Sequence, residues 1–96
     1  MMILITYDVS TETREGRRRL RRVAKTCLNY GQRVQKSVFE CQVNTMEMAR
    51  LKDQLLKEID LEQDSLRIYR IIEPLEKNRE EFGNSQAIDF ESALIV

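Results

Sequence analysis

Short apolar runs and amphipathic stretches succeed one another along the chain in a definite order. The first run, "MILITYDV" from Met2 to Val9, is aliphatic and β-branched on both faces, as a central strand covered on two sides requires. Ser10 or Thr11 is placed to cap a helix whose first turn carries Glu12 and Glu15. Leu20, Val23, Ala24, Cys27 and Leu28 then recur at helical spacing and form one apolar stripe. Gly16 projects onto that stripe, where a missing side chain permits close approach to the sheet, and Tyr30-Gly31 reads as the helix C-terminus.

"GQRVQKSVFECQVN" interleaves apolar and polar residues at strand spacing and predicts a hairpin, Gln32–Gln35 with Val38–Val43, turning at Lys36 and Ser37. Asn44 and Glu47 have the spacing of a capping box, and Met48, Leu51, Leu55 and Ile59 make the apolar face of a second helix ending near Asp60. Ser65–Ile72 predicts a last core strand, stopped at Glu73-Pro74. The order βαββαβ predicts an α+β, ferredoxin-like domain: a four-stranded antiparallel sheet with both helices on one face and the first strand central. Ile3 and Ile5 should face the helices, leaving Met2 and Leu4 on a bare face suited to a twofold dimer contact. Leu75–Gln86 reads as a charged linker, after which "AIDFESALIV" resumes strand-like composition. The whole of 1–96 is thus one domain, with its core in 1–73 and a dimer-associated linker and extra C-terminal strand in 74–96.

Composition adds limits. With 33% charged and 42% hydrophobic residues the chain reads as a soluble globular domain, too short at 96 residues for a multidomain enzyme. Its 16 basic and 16 acidic side chains balance overall but not locally. Residues 1–40 hold nine Lys/Arg against four Asp/Glu, net +5, and the remainder is net −5. Such asymmetry marks either a polyanion partner or a solvated helix face. Cys27 and Cys41 have neither metal-ligand spacing nor a CxxC pattern and are expected to be reduced and buried. The N-terminal apolar run lacks a basic leader and is too short to span a bilayer, so a cytoplasmic protein with no membrane partner is expected.

The chain contains no histidine, which removes imidazole acid–base catalysis, Ser-His-Asp arrangements and His-ligated zinc. Neither GxxxxGK[ST] nor GxGxxG occurs, so nothing points to a nucleotide cofactor. Carboxylate, arginine, tyrosine and hydroxyl chemistry remain. Asp8 ends the first strand with the parity of Met2, Leu4 and Thr6, and therefore points to the bare face. It either caps the following turn or serves as a metal ligand. Magnesium keeps several waters and often takes only one or two carboxylates, so one aspartate per chain, doubled in a twofold dimer, suffices for a minimal site. In "REGRRRLRRVAK", Arg14, Arg18, Arg21, Arg22 and Lys25 fall on one side of the helix, a basic ridge suited to phosphate backbones or simply to solvent. Arg17 lies nearer the apolar border and is placed to reach the end of the first strand beside Asp8. Arg33 and Lys36 add cations, and Phe39 either stacks a base or fills the core. Tyr7 should face the helices, and Tyr69 and Phe90 read as packing residues.

"YDVS" closing the first strand, "GQRVQKSVFE" after the helix and "SLRIYRI" in the fourth strand resemble the CRISPR-associated protein two family, in order and spacing from Met2 to about Ile72. The resemblance implies a homodimer acting in spacer acquisition with the CRISPR-associated integrase, protein one. It also implies a metal-dependent endonuclease acting on single-stranded RNA or double-stranded DNA, with magnesium as cofactor and manganese as a possible substitute. Asp8 matches the family's metal and catalytic position. The nucleic-acid-binding positions map onto Arg33, onto Phe39 of "SVFE", and loosely onto Arg14, Arg17 and Arg18. A non-catalytic DNA-binding adaptor bridging the integrase is the alternative. An RNA-recognition module shares the strand and helix order, but its paired aromatics on the central strands are not matched, since "SVFECQV" offers only Phe39.

Overall fold

Strand β1 (Met2–Asp8) is central because both its edges are used: it pairs antiparallel with β3 (Val38–Gln42) and with β4 (Ser65–Ile71). The computed structural model describes residues 1–84. β2 (Gly31–Gln35) pairs with β3, giving the antiparallel order β2-β3-β1-β4 of a ferredoxin-like sheet. Gln35 lies opposite Val38, so Lys36 and Ser37 form the two-residue hairpin turn that the pattern predicts, with an irregularity between Arg33 and Gln35. Helices α1 (Arg14–Leu28) and α2 (Thr45–Glu58) supply Val23, Cys27, Leu51 and Leu55 to the same buried cluster as Ile3, Ile5 and Tyr7. Both helices therefore cover one face of the sheet, and Met2 and Leu4 remain half-buried on the other.

Several boundaries differ from the pattern's expectations for physical reasons. The N-cap of α1 is Thr13, not Ser10 or Thr11: the helix starts at Arg14, and the Thr13 Oγ1 accepts the Gly16 N–H at 3.0 Å. A Cβ at Gly16 would overlap the carbonyl oxygen of Ser10, so the close approach is to the loop after β1 rather than to the sheet itself. Gly31 does not end the helix. α1 stops at Leu28 with Asn29 as its C-cap, and Gly31 opens β2, where a Cβ would overlap the Glu40 carbonyl oxygen and the Cys41 sulfur. The capping box of α2 is present in full, with the Glu47 N–H on Asn44 Oδ1 at 2.7 Å and the Asn44 N–H on Glu47 Oε1 at 2.9 Å. Tyr69 is 46% exposed on the bare face and so is not a core packing residue.

The segment after β4 makes a 3₁₀ turn at Leu75–Lys77 and then returns to the bare face, where Arg79 Nη1 pairs with Glu40 Oε1 at 3.0 Å. The strand expected in 87–96, and Phe90 within it, lie outside the described residues. Among the described residues no helix is long and apolar enough to cross a membrane. Cys27 and Cys41 are free and buried, and burial pushes their thiols up to about 12 and about 11.

Candidate active site

Residues paired across antiparallel strands share a face, so the neighbours of Asp8 can be read from the register. Asp8 lies opposite Ser65, Thr6 opposite Arg67, and Leu4 opposite Tyr69. The bare face thus carries one exposed carboxylate, two hydroxyl residues and a cation at its upper end, with Arg67 Nη1 lying 3.4 Å from the Tyr69 hydroxyl oxygen. β3 pairs with β1 only as far as Thr6, beyond which the Tyr7 N–H donates to the Ser37 carbonyl at 3.2 Å. Asp8 therefore projects from a strand end held on the β4 side and open on the other.

Among the described residues the Asp8 carboxylate has no hydrogen-bond or ion-pair partner. The capping role left open for it belongs to other residues: Thr13 caps α1, and Asp64 holds the loop after β1. Asp64 Oδ1 accepts the Ser10 N–H at 3.0 Å, Oδ2 accepts the Asp60 N–H at 2.8 Å, and Arg19 Nε donates to Oδ2 at 2.8 Å. The Asp64 side chain is wholly buried. Burial acts to raise its carboxyl, but the Arg19 hydrogen bond, the two backbone N–H groups and the Arg19 charge outweigh it and leave Asp64 below the ordinary carboxylate value. Two aspartates thus divide the work. Asp64 fixes the loop, and Asp8 makes no bond among the described residues.

The structure separates the other expected site residues. Arg14, Arg18, Arg21, Arg22 and Lys25 are all exposed along α1, as the ridge requires. Arg17 is exposed at the start of the helix, but its Nη1 donates to the Thr11 carbonyl at 3.1 Å rather than to Asp8. Arg33 and Phe39 are paired residues on the helix-covered face, the opposite side of the sheet from Asp8. Phe39 is wholly buried against Tyr7, with ring centroids 6.2 Å apart, and cannot stack a base without unpacking the core. Arg33 is 9% exposed, its guanidinium 5.0 Å above the Phe39 ring, so it makes no surface contact beside Asp8.

Residue-by-residue reading missed Arg67, Ser65 and the Asp64–Arg19 clamp. The signal for the first two was the alternation Ser65, Arg67, Tyr69, which becomes meaningful only once β4 is set beside β1 in register. Nothing in the arginine run distinguishes Arg19 from its neighbours, because its role depends on a residue in a distant loop.

A magnesium ion would fit Asp8 as one carboxylate ligand with waters completing the shell. Among the described residues no group of three or more His, Cys, Asp or Glu gathers within one chain.

A model of the family described as CRISPR associated protein Cas2 matches residues 1–79. The chain is 56% identical over 96 residues to the CRISPR-associated endoribonuclease Cas2 1 of Moorella thermoacetica, covering 100% of both chains. It is 52% identical over 95 residues to the CRISPR-associated endonuclease Cas2 of Halalkalibacterium halodurans, covering 99% of each. The crystal structure of Streptococcus pyogenes Cas2 superposes with a TM-score of 0.78 at 51% identity, over 86% of this chain and 100% of that one.

Proposed function

The chain belongs to the CRISPR associated protein Cas2 family, and from that premise we propose that it is an endonuclease of CRISPR defence that cleaves phosphodiester bonds as a magnesium-dependent homodimer. The relatives carry the names endoribonuclease and endonuclease, so single-stranded RNA and double-stranded DNA both belong in the assay. One observation supports Asp8 as the centre: it is an exposed carboxylate, without a partner among the described residues, at the end of a central strand whose structural needs are met by Asp64.

Asp8 of each protomer would hold the ion, with manganese as a substitute, and the ion would neutralise phosphoryl charge and lower the pKa of a bound water. Arg67, beside Thr6 on the same face, would orient a phosphate oxygen, and the ridge on α1 would carry more of the backbone. The bare face supports the dimer, because Tyr69 stands 46% exposed on it opposite the half-buried Leu4, with no helix of the described residues covering either.

The ridge favours a second reading, in which the dimer is a DNA-binding adaptor for the CRISPR integrase in the cytoplasm. Four exposed arginines and a lysine along one helix side bind phosphates whether or not Asp8 does chemistry.

The test is Asp8→Asn in purified protein, assayed on both substrates with magnesium, with manganese and with chelator. Cleavage should vanish while the fold and dimer mass stay as in the parent. Undiminished metal-dependent cleavage would overturn the nuclease reading. Integration supported by the cleavage-dead variant would establish the adaptor role independently.

A further inference from the structure

On the helix-covered side of the sheet, a cleft of about 480 Å³ opens between α1 and the β2–β3 hairpin. That volume lies in the range of small-ligand sites, roughly 300–1,000 Å³. Its charge is all of one sign. Arg21 and Lys25 from α1, Lys36 from the hairpin turn and Arg33 from β2 line it, with no acidic residue among the lining side chains.

Arg33 is the unusual member. It is 9% exposed, its Nε has no hydrogen-bond partner, and among the described residues no carboxylate pairs with it. A buried guanidinium without a counter-charge is costly, and the Phe39 ring offsets only part of that cost. The neighbouring Tyr7 does not supply the missing charge: burial holds its phenol above the ordinary value despite the opposing Arg33 hydrogen bond, and its hydroxyl donates to the Lys36 carbonyl at 3.3 Å. The remaining wall is apolar, formed by Leu20, Ala24 and Leu28. An inorganic anion would leave that wall in water, whereas a phosphate attached to a flat base would use both the cations and the wall.

We propose that this cleft binds the phosphate and base of a nucleotide, either a free mononucleotide or the terminal nucleotide of a strand. The site goes beyond the nuclease reading, since it lies on the opposite face of the sheet from Asp8 and needs no metal. Arg33 meets the phosphate, Arg21, Lys25 and Lys36 close around it, and the base lies against Leu20, Ala24 and Leu28.

The experiment titrates the full chain with adenosine 5′-monophosphate, adenosine and inorganic phosphate, by calorimetry or amide chemical shifts. The monophosphate should bind saturably and about tenfold or more tighter than either fragment. Arg33→Gln, Ala24→Phe to fill the wall, and Lys36→Ala at the exposed rim should each weaken it, the first two by about tenfold or more. Circular dichroism identifies any variant that fails to fold, and Lys36→Ala tests the site even if both inner variants do. A monophosphate no tighter than adenosine or phosphate, or unaffected by every folded variant, would overturn the proposal. A short 5′-phosphorylated single strand that displaces the monophosphate better than the same strand with hydroxyl ends identifies a strand terminus as the source, and equal displacement identifies the free nucleotide. Repeating the titration with Asp8→Asn keeps the two claims apart: binding should persist where cleavage is lost.

Discussion

Asp64 accepts the Ser10 N–H at 3.0 Å, a bond that joins the loop after β1 to the loop before β4 across 54 positions of sequence. The same carboxylate takes Arg19 from α1 and the Asp60 N–H from its own loop, so three segments meet at one buried group.

Asp64→Asn should therefore destabilise the protein by on the order of 3 kcal/mol in urea unfolding, since it leaves Arg19 and two loop N–H groups poorly matched. The effect depends on pH in a definite direction. A carboxyl depressed in the folded state contributes stability above its unfolded value of about 4 and loses it as pH falls through the lower folded value. The parent should lose stability more steeply than the variant below about pH 4. Parallel acid limbs would show that Asp64 is not the group responsible.

Asp8→Asn should leave the urea midpoint unchanged, because the carboxylate makes no bond among the described residues. A fall comparable to that of Asp64→Asn would mean that Asp8 is structural after all.

Phe39→Ala should cost about 3–5 kcal/mol, as for other wholly buried phenylalanines. Phe39→Leu keeps most of the volume and should recover much of that loss. If it also recovers nucleic-acid affinity, the aromatic ring acts through packing; affinity lost in a stable Phe39→Leu would restore the base-stacking role.

Replacing Arg14, Arg18 and Arg21 by Gln should weaken duplex binding about equally for unrelated sequences and flatten the salt dependence by roughly one unit of slope per lost phosphate contact. An unchanged salt slope would place the phosphates elsewhere.

Cys27 and Cys41 should resist a disulfide-exchange reagent at neutral pH, since both thiols are buried and held up to about 12 and about 11. Their labelling rate should rise with urea in step with unfolding. Rapid labelling of the native protein would contradict the burial.

The order of strands and helices was legible because each apolar period is local: Ile3 and Ile5 alternate, Val23 and Cys27 repeat at four, and Asn44 with Glu47 marks a helix start. Asp8 was legible as a strand-end carboxylate on the bare face for the same reason. What pairs with what was not. The anchoring of the Ser10 loop depends on Asp64, 54 positions away, and the burial of Arg33 over Phe39 depends on strand register, which no local period encodes. Tyr69 reads as a packing residue in isolation, and only its position opposite Leu4 places it on the bare face beside Arg67.

The overlap between a Cβ at Gly16 and the Ser10 carbonyl has a genetic consequence. Every amino acid that a single-base change can write over a glycine codon brings at least that carbon. A mutational scan should thus find position 16 nearly silent in surviving clones, with any tolerated alanine accompanied by a second change that moves the loop at Ser10.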